Sequence, residues 1–311
     1  MTFAPSVMIV VLSYKRSHVI FDDDNSNVAS TVLQLQDAGV GHYLYCQKQE
    51  APDYWKPSVN TSMTKVMPLD PALDDAGIAA TRKEIVRIFN ESALYDVLIM
   101  LDDDIEFRAD TAASINWLAE SAKTFNGISF LTNYGIYHDH AGFNGNLVIP
   151  TGRAMQAVAF NRKTASLIEY EPGTLSEDFN VAIQSHMMGW CNFGSLAFQI
   201  DSFVGNEGGV QAETKADEDK WDTSNKMMAE LFPDYITYYT EWGFEKRHKL
   251  FVDWYAALLS QQTKLEVSKA LSAANYLCAL SMVEASATQG VDMGNERTLE
   301  QFNLRTLSND A

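Results

Sequence analysis

Two short apolar runs constrain this chain more than anything else in it. Residues 6–14 read SVMIVVLSY and residues 97–104 read VLIMLDDD, each a block of mainly β-branched or aliphatic residues broken abruptly by polar ones. Runs of that length with no polar alternation mark strands buried on both faces, as in a parallel sheet covered by helices. Between and after them, amphipathic stretches alternate with further apolar runs. NVASTVLQLQDAG (27–39) predicts a helix closed by Gly39, and HYLYC (42–46) predicts a second strand. DDAGIAATRKEIVRIFNES (74–92) predicts a helix burying Ile78, Ile85 and Ile88. ADTAASINWLAESAKTF (109–125) predicts another, and GISFLTNY (127–134) a further strand. The β-α alternation therefore points to an α/β domain with a mostly parallel central sheet flanked by helices, its ligands at the carboxyl ends of the strands. YKRS (14–17) and the aspartate triplet then share one rim.

From 135 to about 210 the pattern is looser, with short strands expected near 153–161 and 196–204. NEGG (206–209) and the charged run 213–222 mark a change of character. Beyond it TSNKMMAELF, RHKLFVDWYAALLSQQ and LEVSKALSAANYLCALSMVEAS read as helices. This suggests a catalytic part over 1–205 and a mainly helical lobe over 206–311, although the late helices fit packing against the sheet equally well.

Composition removes several classes. Apolar residues at 46% with only 8 prolines describe a globular chain, not a disordered one. No apolar stretch approaches the roughly 20 residues of a membrane span, and the N-terminus lacks a basic flank and a small-residue cleavage site. Cys46, Cys191 and Cys278 are few and widely spaced, which fits a reducing cytoplasm and offers no zinc motif. A net charge of −18 speaks against a protein that coats nucleic acid. Local basic clusters do occur, at 14–18, 81–87 and 245–249.

The triplet carries the chemistry. On an extended segment Asp102 and Asp104 point one way and Asp103 the other. Two carboxylates on one face suit a hard cation, Mg²⁺ or Mn²⁺, of the kind held by one or two carboxylates together with substrate phosphates. The plainer reading is an acidic turn or a helix cap. Glu177 and Asp178 at a helix start admit two readings as well. One is a general base for an acceptor hydroxyl, Asp178 being the better placed. The other is a helix-terminal carboxylate stabilised by the dipole, with Ser176 as cap. His138, His140, His186 and Asp201 are possible third ligands, and Arg153 is a possible phosphate or acceptor contact. The second aspartate run, 22–25, reads as a helix N-terminus.

A hydrophobic strand running into DDD resembles the aspartate-x-aspartate motif of GT-A fold glycosyltransferases. IVVLSYKRS (9–17), GIAATRKEIVRIF (77–89) and LSEDFNVAIQSHMMGW (175–190) resemble that family's first strand and nucleotide turn, the helix before the aspartates, and the acceptor-side acidic motif. The resemblance covers roughly residues 6–204. It implies a hexosyl or pentosyl transferase using a nucleotide sugar, by family habit a UDP-sugar, and Mn²⁺ or Mg²⁺. It implies Asp102 and Asp104 on the metal, Ser13, Tyr14, Arg16, Arg82 and Asp103 on the nucleotide, and Asp178 or Glu177 at the acceptor. Residues 206–243 more loosely resemble bacteriophage TET-associated glycosyltransferases acting on 5-hydroxymethylpyrimidine DNA. That likeness implies a DNA acceptor held locally by Lys246, Arg247 and Lys249, and a host-cell cytoplasmic setting. A small-molecule or polysaccharide acceptor, a nucleotidyltransferase and a non-catalytic sugar-binding protein are the alternatives.

Overall fold

The computed structural model describes residues 6–14, 16, 30–55, 61–74, 76–137, 146–170, 175–202, 215–239 and 250–289. Strands in chain order are β1 (Val7–Leu12), β2 (His42–Cys46), β3 (Thr64–Pro68), β4 (Val97–Asp102), β5 (Ile105–Phe107), β6 (Ser129–Asn133), β7 (Val148–Ile149), β8 (Ala157–Asn161), β9 (Phe193–Ser202), β10 (Ile236–Tyr238) and β11 (Leu250–Val252). The first nine form one sheet in the order β3-β2-β1-β4-β8-β6-β9-β5, with β7 on β9.

The expected α/β architecture is present, and the sheet is mixed in a definite way. β3, β2, β1 and β4 pair in parallel. β8 then runs against both β4 and β6. β6 and β9 return to the direction of β4, while β5 and β7 lie antiparallel on β9. An apolar run records that a strand is buried but not which way it points, so the reversal at β8 has no signature in the sequence.

The continuous apolar runs are explained by burial on two sides. In β1, Ile9 and Val11 face one core, and Met8, Val10 and Leu12 face the other. In β4, Val97, Ile99 and Leu101 join the first core, and Leu98 and Met100 the second. Period-two alternation with both faces covered leaves no position for a polar residue until the strand ends. Each such side chain contributes roughly 1.5–3 kcal/mol by leaving water. The first core is closed by the helices Thr31–Asp37 and Thr111–Thr124 through Val32, Leu35, Ile115, Trp117 and Leu118. The second is closed by Ile78–Glu91 through Ile85, Val86 and Phe89, and by Val181 of Glu177–Met187.

The long helix Lys264–Gln289 packs back on the sheet, and its Val267, Ala274 and Cys278 belong to the first core. Asn275 fastens it there, its Oδ1 accepting from the Leu147 and Val148 amides at 2.6 and 3.1 Å. A smaller cluster of Ile183, Met228, Ile236 and Val252 joins the helix Lys215–Leu231 and the β10–β11 hairpin to Glu177–Met187. Residues 250–252, expected in a helix, are strand instead. Leu250, Phe251 and Val252 pair with Tyr238, Thr237 and Ile236, and the helix begins only at Trp254, where Asp253 accepts from the Ala256 amide at 2.9 Å. Pairing with a matching β-prone triplet outweighed helical periodicity. Among the described residues no helix is long and apolar enough to cross a membrane.

Candidate functional site

The register of β1 on β4 sets Leu12 beside Asp102, so the residues that follow each strand emerge together at one rim. β4 ends at Asp102, and Asp103 and Asp104 form a turn before β5. That turn is held from below by the helix Thr31–Asp37. Thr31 Oγ1 donates to the Asp102 carbonyl at 2.8 Å and accepts from the Ile105 amide at 3.1 Å. Gln34 takes the Phe107 amide on its Oε1 at 3.0 Å and gives its Nε2 to the Ile105 carbonyl at 2.8 Å. Neither residue was singled out by sequence, because each is an ordinary helix position until the sheet brings the turn to it.

The turn changes the expected division of the triplet. Strand alternation pairs Asp102 with Asp104, but the chain leaves the extended state after Asp102. Asp103 and Asp104 instead share one cation, with Arg16 Nη1 2.6 Å from Asp103 Oδ1 and 2.8 Å from Asp104 Oδ2. Ser13 Oγ donates to Asp103 Oδ2 at 2.5 Å and lies 2.6 Å from the buried Tyr54 hydroxyl. Tyr54 is a further unforeseen member, brought in by a short helix after β2. Tyr14 is half-buried at the same rim. Asp102 turns the other way, to Arg82 Nη2 at 2.8 Å, and keeps a side chain 26% exposed.

Arg82 joins the two acidic groups. Its Nη1 reaches Glu177 Oε1 at 2.9 Å, and only 4% of the residue is exposed. Ser176 caps the helix Glu177–Met187 by position without a side-chain hydrogen bond to it. The helix start is propped from the C-terminal part, where Ser224 Oγ accepts from the Leu175 amide at 2.9 Å. Asp178 is buried. Its Oδ2 accepts from Arg153 Nε, whose guanidinium also lies 4.5 Å from the Phe179 ring centre, and its buried Oδ1 has no hydrogen-bond partner.

Two other sequence candidates, His186 and Asp201, stand apart. His186 is fully buried, its Nε2 2.7 Å from Thr151 Oγ1 and its Nδ1 2.9 Å from the Trp190 carbonyl, and burial pushes its pKa down to about 4. Both ring nitrogens serve the fold. Asp201 on β9 is paired with Arg108 at 2.5 Å. His138, His140, the 22–25 run, the 206–211 segment and Lys246, Arg247 and Lys249 lie outside the described residues.

Burial governs the electrostatics. It pushes the Asp103 carboxyl up to about 7 against the pull of Arg16 and Ser13. Burial raises Glu177 to about 7 as well, against Arg82. For Arg82, burial works to lower the pKa, and the facing Asp102 and Glu177 more than offset it, so the net shift is upward. Among the described residues, Asp102, Asp103, Asp104, Glu177 and Asp178 face only Arg16, Arg82 and Arg153, a formal excess of two negative charges. A divalent cation matches that excess, and Asp102 and Asp104 are hard oxygen donors of the right kind. Among the described residues no three His, Cys, Asp or Glu side chains gather into a ligand cluster. Sites built on one or two carboxylates commonly take further ligands from substrate phosphates or water.

No family model matches the chain, and no curated protein matches it in sequence. Among solved structures it is similar to GalNAc-T7 crystallised with UDP, GalNAc and Mn²⁺, at 13% identity and a TM-score of 0.47 over 69% of this chain and 46% of that one. The chain thus spans less than half the length of that protein. It is also similar to the mannosyltransferase PcManGT from Pyrobaculum calidifontis in complex with GDP-Man and Mn²⁺, at 12% identity and a TM-score of 0.48, covering 100% of this chain and 82% of that one.

Proposed function

We propose that the protein is a metal-dependent glycosyltransferase that moves a sugar from a nucleoside diphosphate donor to an acceptor hydroxyl. The observation that carries this reading is the meeting of Asp102–Asp104 and Glu177–Asp178 at one rim, tied through Arg82 at 2.8 and 2.9 Å. A strand-end triplet and a helix-start pair supply a cation seat and a proton acceptor side by side.

Ser13, Tyr14, Arg16 and Asp103 form the nucleotide edge, and Asp102 and Asp104 hold Mn²⁺ or Mg²⁺. The bound cation supplies positive charge against the departing diphosphate. Asp178 is the base. Its free Oδ1 is buried and unpartnered, and Arg153 fixes the carboxylate through the other oxygen, so an acceptor O–H completes its hydrogen bonding and hands over its proton. Glu177 is turned to Arg82, which leaves Asp178 as the acceptor-side group. Arg82, buried between Asp102 and Glu177, joins this nucleotide edge to the acceptor side. Residues 1–205 carry this chemistry, and Ser224 of the helix Lys215–Leu231 props the start of Glu177–Met187.

Calorimetric titration with nucleoside diphosphates, with and without Mn²⁺, tests the reading. Metal-dependent binding is expected, and Asp104→Ala should remove its metal-dependent part. Release of pyrophosphate in place of a nucleoside diphosphate during turnover would assign a nucleotidyltransferase instead. Absence of both turnover and a Mn²⁺ effect would leave a sugar-binding protein.

For the acceptor we propose a hydroxymethylated pyrimidine in DNA. The support is the sequence likeness of residues 206–243 and the basic run at 245–249. Such a base would be flipped out or approached in the major groove. Incubation with a nucleotide sugar, Mn²⁺ and plain or hydroxymethylated DNA should add mass only to the modified nucleoside. No mass shift across the common donors retires the DNA acceptor and leaves the transferase reading in place.

A further inference from the structure

We propose that Arg16 is a built-in rival of the divalent cation for Asp104, so that metal binds tightly only together with a phosphate-bearing nucleotide that draws the guanidinium away. The inference rests on the reading of the metal and nucleotide site given above.

Arg16 is only 8% exposed, and a single nitrogen, Nη1, serves both Asp103 and Asp104 at 2.6 and 2.8 Å. Its Nε is buried with no hydrogen-bond partner. Arginine–carboxylate pairs are frequently forked, with two parallel nitrogens on one carboxylate. Arg16 meets two carboxylates with one nitrogen and holds donor capacity in reserve, a geometry suited to exchanging one anion for another. Diphosphate oxygens supply what the unpaired donor lacks.

The two aspartates are not equally dependent on it. Asp103 keeps the Ser13 hydroxyl at 2.5 Å when Arg16 shifts, whereas Asp104 has Arg16 as its one ion-pair partner among the described residues. Asp104 is therefore the oxygen donor over which two cations compete. A guanidinium and a divalent ion on one carboxylate, in a seat largely shut off from water, repel each other strongly. Arg82 has an unpartnered buried Nε as well, but it lies between Asp102 and Glu177, one nitrogen to each, and moving it would strand two carboxylates that face no incoming cation together. Removal of Arg16 from Asp104 by a nucleotide makes metal and nucleotide tighten each other by the same factor.

The test is the affinity for Mn²⁺ itself, read by calorimetry or by the paramagnetic signal of free Mn²⁺ on the full chain, alone and with saturating UDP or GDP. In the unaltered protein, at least one nucleotide should tighten Mn²⁺ binding tenfold or more. Arg16→Gln should bind Mn²⁺ without nucleotide at least tenfold more tightly than the unaltered protein and lose most of the coupling. Adding Asp104→Asn should abolish that gain. Arg16→Lys keeps the charge and should stay within about threefold of the unaltered protein, which guards against a glutamine variant that fails to fold. If Arg16→Gln binds Mn²⁺ no more tightly, or Arg16→Lys binds it tenfold more tightly, while the unaltered protein still binds Mn²⁺ with nucleotide, the competition is overturned and the site reading stands. If no form binds Mn²⁺ with either nucleotide, both fall.

Discussion

Arg82 and Arg87 stand five residues apart on the helix Ile78–Glu91, and each answers two carboxylates. Arg87 reaches Glu84 and Glu91 at 2.7 and 2.5 Å on the solvent face, with its side chain 53% exposed. Arg82 reaches Asp102 and Glu177 at 2.8 and 2.9 Å on the inner face, with its side chain 5% exposed. On distances alone the two are equals. They differ in what surrounds them. Water screens Arg87 and would solvate its partners if it were lost. The partners of Arg82 have no such recourse, because removing one member of a buried pair leaves uncompensated charge. Burial, not the number of ion pairs, decides what each arginine does. The difference also separates a side chain that decorates a helix from one that joins two acidic segments distant in the chain.

The largest effect should come from Arg82→Ala. It strands Asp102 and Glu177 and is expected to cost about 3–5 kcal/mol in chemical denaturation at pH 8. A loss below about 1 kcal/mol would mean that the two inner carboxylates find water, and the contrast with Arg87 would collapse.

A second effect is a pH dependence carried by Glu177, which faces Arg82, Asp178, Asp102 and Tyr170. Its folded pKa is about 7, against about 4.3 in an unfolded chain. Between those values the folded protein binds the extra proton. Its contribution to stability is therefore present at the acid end and lost as pH rises from about 4.5 through 7. Urea midpoints should fall across that window, and Glu177→Gln should flatten the fall by something on the order of 2 kcal/mol. An identical slope in the variant would remove Glu177 as its source.

Arg153 lies between the extremes, with its side chain 33% exposed over Phe179 and paired to the buried Asp178. Arg153→Ala should cost about 1–3 kcal/mol, the usual result of leaving a buried acceptor unpaired. A cost as large as that of Arg82→Ala would show that the surroundings of Asp178 are as tightly sealed as the joint between the two acidic groups. Arg87→Ala should leave the denaturation midpoint unchanged within error. A clear shift there would overturn the claim that exposure silences the outer pair.

The sequence by itself determined a good deal. The uniform apolar runs of β1 and β4 require burial on both faces, and the period of Ile78, Ile85 and Ile88 requires a helix covering one of them, although Ile78 and Ile88 are only partly buried. Both follow from local geometry, which is the same in every fold. The same reasoning put Asp102, Asp103 and Asp104 at a strand end on the rim that carries Tyr14, and the register of Leu12 on Asp102 places them there. The pairing of Arg87 with Glu84 and Glu91 is legible too, since spacings of three and four residues meet on a helix face.

Tertiary structure decided the rest, because it depends on contacts between residues distant in the chain. The reversal at β8, the strand at 250–252 and the return of Lys264–Gln289 to the first core are choices of partner, and an apolar pattern does not name its partner. The same holds within the site. Alternation assigned Asp104 to the company of Asp102, but Thr31 and Gln34 hold a turn that hands Asp104 to Arg16. Arg82 was legible as a helix arginine near the aspartates. That it reaches Glu177, 95 residues away, and so joins the two acidic groups, only the packed sheet and its covering helices could settle.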